Sequence, residues 1–111
     1  MGDLMNLARP DIWAMVEQNT TSAIGAELVD LEYEFRPGWN GASRDVYAVF
    51  VVLWSRPARF GVPGAKTWGT HRGCVRRKLA EDPYSHLFEG HYDQAEPDAR
   101  NDYVERQVGL S

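Results

Sequence analysis

One cysteine, Cys74, stands in 111 residues, so no disulfide can close within the chain. A reducing, cytoplasmic setting is the expectation that follows. No apolar run approaches the roughly 18 residues that a membrane span needs, so no membrane partner is expected. Met1-Gly-Asp-Leu-Met-Asn6 lacks the basic and apolar regions of a secretory leader. The chain has no glycine pattern of a phosphate-binding loop and no serine elbow of a hydrolase. No cofactor is expected from such a sequence. Acid is also missing where it matters: residues 46–80 contain no Asp or Glu.

What is present is ordinary for a globular chain: 43% hydrophobic and 25% charged residues, with a net charge of −4. Length and composition predict one domain over residues 1–111, and the elements read below make its class α+β. The charge is segregated. Residues 1–45 carry eight acids against three arginines, and residues 81–111 carry eight acids against two. Between them lie Arg56, Arg59, Lys66, Arg72, Arg76, Arg77 and Lys78. Either the ends fold over this basic middle and neutralise it, or the middle is a surface for a polyanion or a second subunit.

The clearest element pair is Glu27–Phe35 and Asp45–Trp54. In the first run Val29, Leu31, Tyr33 and Phe35 alternate with Asp30, Glu32 and Glu34, the period of a half-buried strand. The second run is apolar on both faces, as in a central strand. Pro37-Gly-Trp-Asn-Gly41 between them has turn chemistry, so an antiparallel hairpin is expected. Residues 9–25 read as a helix that weakens at Asn19-Thr-Thr-Ser22 and stops at Gly25. Two prolines and two glycines make residues 56–66 a loop. Helical spacing of Trp68, Val75 and Leu79 predicts a helix over 70–81; a strand at 65–71 is the alternative. Tyr84 to Ala95 reads as irregular. Residues 97–108 read as a final helix, with a strand at 102–108 as its rival.

After the first helix, Gly25-Ala-Glu-Leu-Val-Asp-Leu-Glu-Tyr33 resembles the start of the bacterial ribosome maturation factor family. That resemblance implies a second strand, here Asp45–Val52, then a helix and an Asp-Pro, here Asp82-Pro83. Tyr84-Ser-His-Leu-Phe88 stands where that family carries its next strand signature, and the chain is not assigned to it.

Three constellations could carry chemistry. Asp30, Glu32 and Glu34 form a row of carboxylates, although such rows usually just face water. His71 and Cys74 could pair as thiolate and imidazole on a helix. His86, His91 and Asp93 are a chemically reasonable transition-metal set, at a spacing that matches no standard motif, and would imply a metal-dependent enzyme. The basic stretch 54–78 interleaves its cations with Trp54, Phe60, Trp68 and His71, the composition of a single-strand or RNA contact surface. None of these sets is complete as catalytic machinery. The leading expectation is a non-enzymatic interaction or assembly protein of the accessory, adaptor or viral-assembly type. It would dock on itself or on a larger complex through Arg56, Arg59, Lys66, Arg72, Arg76, Arg77, Lys78, Trp39 and Trp68. Nucleic-acid binding through the same stretch is the alternative.

Overall fold

A computed structural model describes residues 8–19, 21–36, 47–77 and 83–110, without the side chains of 19, 76, 77, 83–86 and 109. Helix α1 (Arg9–Asn19) is followed by a 3-10 turn (Thr21–Ile24), four strands and helix α2 (Glu96–Gln107). The strands β1 (Glu27–Arg36), β2 (Tyr47–Pro57), β3 (Lys66–Arg77) and β4 (Pro83–Gln94) form one antiparallel sheet in the order β1-β2-β3-β4.

The two helices cover opposite faces. Side chains of a strand alternate between faces, and β2 uses both. Ala48, Phe50, Val52 and Trp54 pack with Ile12 and Val16 of α1. Val51 and Leu53 pack with Ala99 and Tyr103 of α2. This is why β2 reads as apolar throughout. Helix α1 ends at Asn19, where weak helix formers begin, and Gly25 takes the left-handed conformation (φ 68°) that stops the segment. Helix α2 starts on Glu96-Pro97-Asp98, with acids at its positive end. It takes the place of the strand that alternation at Val104, Arg106 and Val108 would allow.

Three sequence expectations change. Residues 70–77, expected within a helix over 70–81, belong to strand β3, paired with β2 from Pro57↔Lys66 to Tyr47↔Arg76; residues 78–81 lie outside the described residues. Gly69 and Gly73 disfavour a helix, and Gly69 has a use in the sheet: the Trp54 ring lies across it. The segment read as irregular, Tyr84 to Ala95, belongs mostly to β4. Register shifts against β3 interrupt its alternation, and Glu89 (φ 51°) and Asp93 (φ 56°) adopt left-handed backbone. In β1 a bulge between Leu28 and Asp30 changes the inward set. Leu28 joins Leu31, Tyr33 and Phe35 on the α1 side, whereas Val29 packs on the α2 side.

The carboxylates Asp30, Glu32 and Glu34 of β1 have basic partners. Arg9 lies 3.6 Å from Asp30 and 3.9 Å from Glu32, and Arg36 lies 3.7 Å from Glu34. Arg9 also donates to the Leu31 carbonyl, which blunts the open edge of the sheet. These pairs are half-exposed, so Glu32→Ala is expected to change the unfolding free energy by less than about 1 kcal/mol. Urea denaturation measures it; a larger loss would mean that the β1 acids carry structure.

Candidate functional site

Two polar clusters flank β3 and β4. On the α1 face, the buried Trp54 Nε1–H donates to His71 Nδ1 at 2.9 Å. That acceptor role leaves the proton of a neutral imidazole on Nε2, which lies 2.9 Å from the Tyr92 hydroxyl. The His71 and Tyr92 rings meet edge to face at 5.0 Å. The Arg56 guanidinium lies over Trp54 at 5.0 Å and over Tyr92 at 5.4 Å. It also donates to the Ile24 carbonyl and sits 3.9 Å from Asp93. Burial pushes the His71 pKa down to about 4, assisted by the charges of Arg106 and Arg56.

On the α2 face, Asp102 Oδ2 accepts from the Thr70 hydroxyl at 2.6 Å and lies 2.7 Å from His91 Nδ1. Arg106 Nη2 lies 2.7 Å from His91 Nε2, and Nη1 donates to the Glu89 carbonyl at 2.6 Å. A guanidinium only donates, so Nε2 accepts and Nδ1–H points at Asp102. Burial works to raise the Asp102 carboxyl. Hydrogen bonds from Thr70 and His91, with the charge of Arg106, outweigh it and hold the carboxyl below its ordinary value. The chain Thr70–Asp102–His91–Arg106 ties α2 to β3 and β4. It leaves no ring nitrogen of His91 open to a substrate proton or a metal ion.

The other candidates fall as follows. His71 and Cys74 are three apart on a regular strand, hence on opposite faces, and do not form a pair. His91 and Asp93 touch different partners, Asp102 with Arg106 in one case and Arg56 in the other. The His86 side chain lies outside the described residues. Among the described residues no group of three His, Cys, Asp or Glu is placed to hold a metal ion.

The basic residues divide. Arg56 is embedded as above, and Arg72 lies 3.6 Å from Glu89. Trp68 packs with the α2 cluster, beneath the Arg100 guanidinium at 5.4 Å. Trp39, Lys78 and the side chains of Arg76 and Arg77 lie outside the described residues. Arg59 and Lys66 stand exposed at the β2–β3 connection.

Residues 59–64 of that connection are all exposed. The outermost rungs to the flanking strands are Glu27↔Ser55 on one side and Trp68↔Gln94 on the other. β2 and β3 stay paired beyond both, through Arg56↔Thr67 and Pro57↔Lys66. Residues 56–67 therefore overhang the sheet. Pro57 is tolerated because no β1 partner needs its missing N–H. Backbone bonds from Ala58 to the Ala65 carbonyl and from Ala65 to the Val62 carbonyl brace the loop, and Gly61 (φ 115°) and Gly64 (φ 87°) turn it. At its tip Phe60 is 89% exposed and Val62 77%. Phe60 is one of the aromatics that the sequence interleaves with the cations of the basic stretch, whereas Val62 escapes a reading that follows charge; the signal for it is an apolar residue set among prolines and glycines, where no core can form. Among the described residues no helix is long and apolar enough to cross a membrane. No protein-family model, curated protein or solved structure matches the chain.

Proposed function

We propose that the protein is a non-enzymatic interaction module that docks on a protein partner through the overhanging β2–β3 hairpin. The observation that carries this reading is the tip. Phe60 and Val62 stand in water at the end of a braced hairpin, flanked by Arg59 and Lys66. Two large apolar side chains on one tight loop are a poor arrangement for a solvated end and a good one for an anchor that fills a pocket. The flanking cations select a pocket with an acidic rim and speed the encounter. Arg56 and Arg72 already face acids of β4, which leaves less of the basic stretch for a polyanion. Trp54 and Trp68 are packed against the protein itself, so of the aromatics in that stretch Phe60 alone is free to stack on a base.

Placing a photo-crosslinking benzoyl-phenylalanine at position 60 in cells tests the reading. The expected product is a crosslink to protein. A crosslink to nucleic acid would move the assignment to RNA or single-strand binding. Absence of any crosslink would remove the hairpin as a docking element.

A further inference from the structure

We infer that the occupant of the hairpin tip's partner pocket is reciprocal: the partner is a second copy of this chain, in a two-fold dimer, and the inference rests on the docking reading above. A shallow depression of about 470 Å³ is lined by Ala14, Glu17, Gln18, Ser22, Ala26 and Glu27. Two alanines give it small apolar walls, and two glutamates give it negative charge. The tip offers the complement: Phe60 and Val62 to fill it, Arg59 and Lys66 to meet the glutamates.

Placement favours a closed pair over a chain of molecules. Glu27 of the depression pairs with Ser55, and Arg56 donates to the Ile24 carbonyl beside it. The depression thus lies at the root of the hairpin whose tip is exposed. Pairing of β2 with β3 out to Pro57↔Lys66 holds that tip away from its own root. Two molecules facing each other at this end can each seat a tip in the other's depression. Both contacts form at once, the surface is self-complementary, and the assembly closes at two. Contacts between opposite ends would instead continue as a filament.

The test is sedimentation of the purified full chain. The expected species has twice the 12.6 kDa chain mass. Its dissociation constant should rise about tenfold or more between low and high salt, because the rim charges are screened. The tip variant Arg59→Glu/Lys66→Glu and the pocket variant Glu17→Lys/Glu27→Lys should each be monomeric with the circular dichroism spectrum of the wild-type chain, and their melting temperatures should no longer depend on protein concentration. Mixed together they should form a heterodimer, since both reciprocal contacts then join opposite charges. Should either double variant fail to fold, Phe60→Ser replaces it and should also be monomeric. A wild-type chain that stays monomeric to roughly 100 µM, or a mixture that does not pair, overturns the inference. A monomer that still crosslinks to a different protein from position 60 overturns it too, and leaves the docking reading standing.

Discussion

Trp54→Ala is expected to cost about 3–5 kcal/mol in unfolding free energy, measured by urea denaturation. That is a large share of the stability of a domain this size. The side chain is fully buried in the α1-face core. Its indole donates to His71, its ring packs 5.6 Å from that of Tyr92, and the Arg56 guanidinium lies over it. Removal leaves a cavity and deprives the buried His71 Nδ1 of its donor. Two glycines make room for this cluster, and they separate under double substitution. A Cβ at Gly69 would run into the Trp54 ring and also into the His91 carbonyl. The second obstacle is backbone, so Gly69→Ala should stay costly in the Trp54→Ala background. A Cβ at Gly90 would meet the side chains of His71 and Tyr92. Gly90→Ala should therefore be partly relieved by His71→Ala, which a double-mutant cycle detects. A loss below about 1 kcal/mol for Trp54→Ala would contradict the core described here.

The α+β class, both outer helices and the central strand β2 were legible from local signals: Pro10-Asp11 and Pro97-Asp98 mark helix starts, and an unbroken apolar run marks a strand covered on both faces. Strand β3 was not. Its α1 face carries Gly69, His71 and Gly73, which give no hydrophobic beat, whereas Trp68 and Val75 happen to fall at helical spacing. Strand β4 was hidden by its own irregularity, since the left-handed residues Glu89 and Asp93 break the alternation on which a strand reading depends. The polar clusters were invisible for a further reason. Thr70, His91, Asp102 and Arg106 come from three elements, and only the pairing of β3 with β4 beneath α2 assembles them. The basic stretch was legible as charge, but which of its members remain open depended on Asp93 and Glu89 lying across from Arg56 and Arg72.

Acid should destabilise the protein in two adjacent windows, with His71 responsible for the upper one. The unfolded imidazole takes up its proton near pH 6.5, the folded one only near pH 4. Between those values the unfolded chain binds more protons, so stability falls as the pH drops from 6.5 towards 4, and above 6.5 it is undiminished. A shift of that size corresponds to a loss on the order of 3 kcal/mol across the window. The cause is geometric. His71 is buried, Trp54 donates to one ring nitrogen, and the cations of Arg56 and Arg106 disfavour a second positive charge. Below the window Asp102 takes over. Its folded carboxyl is held below the ordinary value, so its contribution is complete above about pH 4 and disappears as the pH falls through the lowered value. His71→Gln keeps an acceptor for the Trp54 N–H and removes the titration. Its stability should be lower at neutral pH, yet nearly flat between pH 6.5 and 4. Denaturation curves across that range compare the two proteins directly. A wild-type profile as flat as the variant's, or a variant as steep as the wild type, would show that the buried imidazole is not what makes the fold acid-sensitive.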